Sequence, residues 1–345
     1  MTDYSSLPKS VTARAGTNIA LVKYWGKRDK ALNLPAAGSL SLTLANLGSE
    51  TTVRFASDAG ESDGHDRVFL GGKTADAKFA ERVRRFLDLV RVRADVDLPA
   101  KVMTTNTVPT AAGLASSAAG FAALALAASR AAGLCLSQAE LSELARRGSG
   151  SAARSIFGGF AEMSAGSSAD GSDAVAHNLL DESAWDVRLC VAITAEGAKA
   201  IGSTAAMEST AETSPYYQGW LASVPADLAE ARAAVLHRNL AGLGAVAERS
   251  ALRMHACAMA ADPYILYWNP ATLAAIAAVK QLRASGTPAF FTIDAGPHVK
   301  VLCASADAQL VQAALAATPG VMRVLLLAPG PGAHIVNEQP ERNHS

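Results

Sequence analysis

The stretch VPTAAGLASSAAG, Val108 to Gly120, constrains this chain more than any other. It is a run of small residues that leads directly into an alanine-rich segment, FAALALAASRAAG. Such a join reads as a loop entering a helix. Ser116 or Ser117 serves as N-cap, because a hydroxyl accepts a bond from a free first-turn N–H. Gly133 is a fitting stop at the other end. Glycine and alanine ahead of a helix let the backbone approach a ligand. The free N–H groups and the positive end of the helix dipole then favour an anion. Thr110, Ser116 and Ser117 add hydroxyls for phosphate oxygens or a metal ion. The same spacing also suits a buried helix with a tight, capped entry. It is not a Walker motif, since GxxxxGK[ST] is missing and the stretch holds no lysine.

The chain has 345 residues, enough for two domains or one large one, and half of them are hydrophobic. Lys plus Arg equals Asp plus Glu at 31 each. No global charge recruits the protein to nucleic acid or to a membrane surface. The four cysteines lie far apart and form no CxxC. That spacing argues against zinc and for buried, reduced thiols. The N-terminus lacks an apolar signal core, and no run of about eighteen uncharged apolar residues reads as a membrane span. A soluble cytoplasmic protein is expected.

Hydrophobic patterning supplies the elements. Residues 1–10 read as a loose arm and VTARAGTNIALV as a strand. SLSLTL, Ser39 to Leu44, alternates as a strand with one buried face does. TTVRF is another strand, and Asp58 to Asp66 a hairpin or exposed loop. A helix is expected over Lys78 to Val92, a strand over Asp97 to Thr105, and a helix over Ser137 to Arg147 capped by Ser137. Ser164 to Asp173 is a surface loop by composition, with a domain junction near residue 185. Beyond it come the strand RLCVAITAE and helices over Pro225 to Ala247 and Ala247 to Ala261, with a softened joint at Gly242 and Gly244. A helix over Asn269 to Ser285 follows. AFFTIDAG and HVKVLCAS are strands joined across Gly296-Pro297. A helix over Ala306 to Ala316, capped by Ser305, and the strand VMRVLLLA complete the chain. The tail after Asn337 reads as frayed. This alternation makes both halves α+β layers.

Four further clusters carry chemistry. KYWGKRD, Lys23 to Asp29, flanks an aromatic pair with two lysines. It reads as a phosphate or carboxylate clamp with Tyr24 as a hydroxyl donor, or as an ordinary solvated charge pair. GSGSAARS, Gly148 to Ser155, joins three serines to Arg154, whose planar fork suits carboxylate and phosphate oxygens. A capped helix entry with an exposed arginine is the plain alternative. In TIDAGP, Asp294 follows an apolar strand, as a general base or as a common turn aspartate. KAIGSTAAM places Ser203 and Thr204 after a glycine, to bind an anion or to cap a helix.

Taken in order, NIALVKYWGKRD, LPAAGSLSLTL, PTAAGLASSAAG, GSGSAARSIFGGF, GSTAAM and TIDAGP resemble the diphosphomevalonate decarboxylase family of the GHMP kinase superfamily. The resemblance runs from about Asn18 to the strand after Pro297. It implies a GHMP kinase fold, with an N-terminal half (1–185) like ribosomal protein S5 domain 2 and a ferredoxin-like C-terminal half (186–345). The active site then lies in the cleft between them. It also implies ATP and Mg²⁺, 3-phosphorylation of mevalonate 5-diphosphate, and loss of phosphate and carbon dioxide to give isopentenyl diphosphate. Pro109, Ala112, Gly113, Leu114, Ala115, Ser116 and Ser117 would hold the nucleotide, with Ser116 at the metal. Asp294, Arg154 and Lys23 form the catalytic group, Asp294 at the 3-hydroxyl and Arg154 at the substrate carboxylate. Tyr24, Lys27, Ser149, Ser151 and Ser203 hold the substrate, mostly its diphosphate. Homodimers are common among such enzymes.

The chain departs from the family pattern at Ala37 and Gly38, where an Asn-Ser pair is typical, at Ala206 for a usual glycine, and at His298 for a common asparagine. These changes keep a mevalonate 3-kinase or a monophosphate decarboxylase as rivals. A regulator that kept the fold and lost catalysis is a rival of another class, against which Asp294 and Arg154 count.

Overall fold

The computed structural model describes residues 7, 10–60, 64–107, 116–197 and 200–339. The first half consists of β1 (Ser10–Val22), β2 (Lys27–Asp29), β3 (Leu34–Pro35), β4 (Ser39–Phe55), β5 (Arg67–Leu70), β6 (Lys73–Thr74), α1 (Ala77–Ala94), β7 (Ala100–Asn106), α2 (Ser116–Ala131), α3 (Gln138–Gly148), α4 (Ala152–Ser155), β8 (Phe160–Met163) and β9 (Ala176–Leu180). The second has β10 (Val187–Ile193), α5 (Ser203–Thr213), α6 (Tyr217–Leu236), α7 (Leu240–Met259), α8 (Pro270–Ala284), β11 (Ala289–Ile293), β12 (Val299–Ala304), α9 (Ala308–Ala316), β13 (Arg323–Leu327) and β14 (His334–Gln339).

The larger sheet runs β14-β1-β4-β7-β5-β6, with β8 on the first part of β4 and β9 on β8. Helix α2 lies against β1 and β4 and is nearly all alanine on its buried side, so the backbones pack closely. Its C-terminus is closed as expected. Gly133 takes a positive φ, and the Leu134 N–H reaches back to the Ser129 carbonyl. Neither Ser116 nor Ser117 is its N-cap as expected: both are already helical, and the residue ahead of them lies outside the described residues. SLSLTL is a strand, but Ser39, Ser41 and Thr43 are as buried as the leucines between them. Both faces of this part of β4 are covered, and the polar face is satisfied by buried partners described below. Asp66 closes the stretch expected as a hairpin or exposed loop. It is instead 5% exposed and accepts from Arg91 and from the Ala100 N–H at 2.7 Å.

The smaller sheet has the order β11-β12-β10-β13 and is antiparallel throughout. Its chain order, strand-helices-strand-strand-helix-strand with the first and third strands central, is the ferredoxin-like arrangement. The expected helix joint at Gly242 and Gly244 is wrong. The break falls at residues 237–239, where Arg238 adopts φ +53° and Asn239 accepts from the Gly242 N–H at 2.9 Å as N-cap of α7. Pro225 does not start a helix but sits within α6. Gly244 is needed for packing, because a Cβ there would fall on the Phe290 ring. Ser305 does not cap α9 either; it opens a short 3-10 turn ahead of it. The tail is ordered further than expected: β14 pairs with β1 through Gln339 and so returns to the larger sheet. Three of the cysteines are buried free thiols as expected, whereas Cys135 is exposed. Among the described residues no helix is long and apolar enough to cross a membrane.

Candidate active site

A cleft of about 1100 Å³ opens between the two sheets' helices, lined from both halves of the chain. Asp294 comes to it at the end of β11, in the turn before β12, where the Gly296 N–H closes on the Asp294 carbonyl at 2.7 Å. Lys23 follows β1, and its own N–H donates to the Ser250 hydroxyl of α7 at 3.0 Å. The Lys23 ammonium donates to Asp294 Oδ1 and to the Ala20 carbonyl, both at 2.7 Å. Lys300 from β12 lies 3.2 Å from Asp294 Oδ2. The two lysine side chains are 3% and 4% exposed, while a third of Asp294 still faces the cleft.

These neighbours decide the charge states. Burial alone would raise the Asp294 pKa, but Lys23 and Lys300 outweigh it and hold the carboxyl well below the usual carboxylate range. Burial lowers Lys23 from 10.5 to about 8, against the pull of Asp294. His255 on α7 is pushed down to about 3, chiefly by burial and then by Lys23, so it is neutral at physiological pH.

Arg154 stands on the short α4 and is 1% exposed. Its Nε donates to Ser41 Oγ at 2.9 Å, Nη1 to Ser39 Oγ, and Nη2 to Asn18 Oδ1 at 3.2 Å. Asn18 in turn donates to the Ser155 hydroxyl at 2.7 Å and the Ser151 carbonyl at 3.0 Å. A guanidinium has five N–H groups. Three are held by the sheet, and Arg154 lines the cleft. Burial lowers its pKa to about 10, which leaves it charged.

Tyr24, Lys27, Ser149, Ser151, Ser203 and Ser117 line the same cleft. The Tyr24 hydroxyl is buried and without a hydrogen-bond partner among the described residues, and burial pushes its pKa up to about 12. Such an atom in a cleft wall suits a ligand oxygen. Gly150 is required beneath it, because a Cβ there would fall on that hydroxyl. Burial lowers Lys27, with Arg82 and Lys30 adding to the effect and Glu208 opposing it. Ser117 and Ala118 bring the N-terminus of α2 to the cleft. Pro109, Ala112, Gly113, Leu114 and Ala115, and the Ser116 side chain, lie outside the described residues.

Sequence reasoning missed Asn18, Ser39 and Ser41, which hold Arg154, and Lys300, which holds Asp294. It also missed Lys78 and Arg82 of α1, which line the cleft. Arg82 lies over the Phe121 ring at 4.9 Å and reaches the Gly148 carbonyl at 3.4 Å. The serines' alternation carried a signal, since polar residues on a fully buried strand need partners. The other signals are ordinary surface patterns until the fold brings them together.

The donors suit polyphosphate: ammonium, guanidinium and hydroxyl groups beside a helix N-terminus. Among the described residues no three His, Cys, Asp or Glu side chains gather around a point.

Comparison with known proteins agrees with this geometry. Residues 15–176 match a family model described as the diphosphomevalonate decarboxylase-like N-terminal domain, and residues 189–322 one described as the mevalonate 5-diphosphate decarboxylase C-terminal domain. The diphosphomevalonate decarboxylase of Aspergillus fumigatus is 36% identical over 325 residues, spanning 90% of this chain and 80% of the relative. The human one is 36% identical over 311 residues, 85% and 76% of the two chains. Among solved structures, mevalonate diphosphate decarboxylase from Staphylococcus aureus has a TM-score of 0.89 at 38% identity, covering 95% and 98% of the two chains. A complex with MVAPP, AMPPCP and magnesium has a TM-score of 0.87 at 43% identity, covering 94% and 98%.

Proposed function

Because the chain belongs to the diphosphomevalonate decarboxylase family, we infer that it is an ATP- and Mg²⁺-dependent decarboxylase that turns mevalonate 5-diphosphate into isopentenyl diphosphate, ADP, phosphate and carbon dioxide. The observation that carries this reading is one cleft walled by a carboxylate held between two lysines, a buried arginine, the Tyr24 hydroxyl with no partner among the described residues, and the cations Lys27, Lys78 and Arg82.

The assignment of roles is part of the proposal. Asp294 faces the 3-hydroxyl. Held anionic by Lys23 and Lys300, it is too weak a base to ionise a resting alcohol. It takes the proton late, as the new O–P bond forms and makes the oxygen acidic, which a loose phosphoryl-transfer transition state permits. The γ-phosphoryl group passes to O3 and ADP departs. The C3–O bond then breaks with its electrons on phosphate. The pair of the C1–C2 bond becomes the double bond between C2 and C3, and carbon dioxide leaves. Arg154 orients the substrate carboxylate by its planar fork. Its positive charge opposes electron release from that carboxylate, so its contribution is positioning. Tyr24, Lys27, Ser149, Ser151 and Ser203 bind the diphosphate end. The helix N-terminus at Ser116 and Ser117, with Lys78 and Arg82, faces the nucleotide phosphates. Ser116 would hold the magnesium ion, which would neutralise phosphate charge there.

The departures at Ala37, Gly38 and Ala206 bear little on the rivals. None of the three lines the cleft; Ala37 and Ala206 are buried in the core, and Gly38 packs against Leu228 and Met163. His298 has a fold role, its Nδ1 accepting the Thr194 N–H at 3.2 Å. We also propose the division into halves at residues 1–185 and 186–345, a homodimer, and a cytoplasmic location, without nucleic-acid or membrane partners. Assay with ATP, Mg²⁺ and mevalonate, its 5-phosphate or its 5-diphosphate tests the function. Turnover that favours either of the less phosphorylated compounds would overturn the substrate assignment.

A further inference from the structure

We propose that Lys300 is a positioning residue for the reaction, fixing the second oxygen of Asp294 and acting on the substrate only through that carboxylate. The inference rests on the function above. Along β12, Val299, Val301 and Cys303 point into the core between the smaller sheet and helices α8 and α9. Lys300 and Leu302 occupy the opposite face, and Leu302 belongs to the large core shared with α6 and α7. An ammonium 4% exposed in the middle of a central strand, opposite Thr292 and Val191, stands where an apolar side chain would suffice for folding.

Folding alone gives no reason for it. Lys23 already sits 2.7 Å from Asp294, and one carboxylate matches one ammonium. Lys300 at 3.2 Å makes a second. His255 from α7 is neutral and adds no balancing charge. Two buried ammonium groups therefore meet one carboxylate, and burying a cation without its own counter-charge is costly. The excess is relieved when an anionic substrate enters: a carboxylate at Arg154 and phosphoryl oxygens near Asp294. Lys300 itself does not line the cleft. Its contact is with Asp294 Oδ2, from the strand beside the one that carries Asp294. With Lys23 on Oδ1, that contact fixes the plane of the carboxylate and leaves its remaining lone pairs to meet the 3-hydroxyl.

The test is steady-state turnover of Lys300→Met and Lys300→Arg as single variants and combined with Asp294→Asn, across pH. Lys300→Met is expected to lower kcat on the order of ten-fold with little change in either KM, and Lys300→Arg to recover part of that loss. The acid limb of kcat should move to higher pH in Lys300→Met, because Asp294 loses one of the two charges that hold it ionised. In the Asp294→Asn background, Lys300→Met should cost nothing further, since coupled residues are not additive. Losses that multiply in the double variant, or a Lys300→Met enzyme with the parent's kcat and pH profile, would overturn the proposal. If Lys300→Met does not fold, Lys300→Arg carries the same cycle. Its loss vanishing in the Asp294→Asn background supports the role, and its loss persisting there refutes it. A parent protein without turnover refutes the function itself, whereas an active parent with an indifferent Lys300 refutes only this inference.

Discussion

Asp294 was visible in the sequence only as a carboxylate in a turn, where a structural aspartate is common. What separates the two readings is the pair of ammonium groups that meet it, Lys23 from the far end of the chain and Lys300 from the next strand, six residues on. Asp294→Asn keeps the shape and removes the charge. Turnover is expected to drop by about 10² or more, the usual scale for a lost proton acceptor, while the substrate still binds; near-parent kcat would remove Asp294 from the mechanism. Lys23 gives a pH signature. Its pKa is lowered to about 8, so kcat should fall as pH rises through that value and the ammonium on Asp294 is lost. The folding contribution of Lys23 runs the other way. The unfolded chain keeps this proton up to about 10.5 and so binds more protons between 8 and 10.5, and the residue's contribution to stability rises across that window. A fall in activity near pH 8 with no fall in melting temperature is the expected pair, and Lys23→Met should abolish the alkaline limb in whatever activity it retains.

At the scale of elements, the cap of α3 was legible, whereas the expected cap at Ser305 and the helix joint were not. Ser137 caps α3 through side-chain bonds that its spacing to Glu140 announces, and Asn269, read only as the start of a helix, caps α8. Gly242 and Gly244 misled because glycine marks both turns and close packing, and here Gly244 makes room for Phe290. The Ser-x-Ser-x-Thr alternation in β4 suggested a solvated face. The polar face is in fact the seat of Arg154, contributed by α4 more than a hundred residues later in the chain. Arg154→Lys should therefore fail despite the retained charge. An ammonium cannot reach Ser39, Ser41 and Asn18 and also present a planar pair of donors, so kcat/KM should fall well below the parent's, and a lysine variant with parent activity would contradict the assignment. Gly150→Ala should raise the substrate KM by pushing the Tyr24 hydroxyl aside while the fold survives. Unchanged KM there would separate Tyr24 from the binding site.

At the scale of the molecule, the order of motifs implied two α+β halves with a cleft between them, and the two sheets and the cleft are present. The return of β14 to the larger sheet was not legible, because HIVNEQ is short and polar and gains its partner only when the chain ends meet. The central claim is that one site phosphorylates the 3-hydroxyl and then expels that phosphate together with carbon dioxide. A single measurement on the purified protein with ATP, Mg²⁺ and mevalonate 5-diphosphate addresses it directly: the amounts of ADP, inorganic phosphate and carbon dioxide released in the same reaction. Equal amounts of all three are predicted; ADP formed without matching phosphate and carbon dioxide would make the protein a 3-kinase and contradict the account.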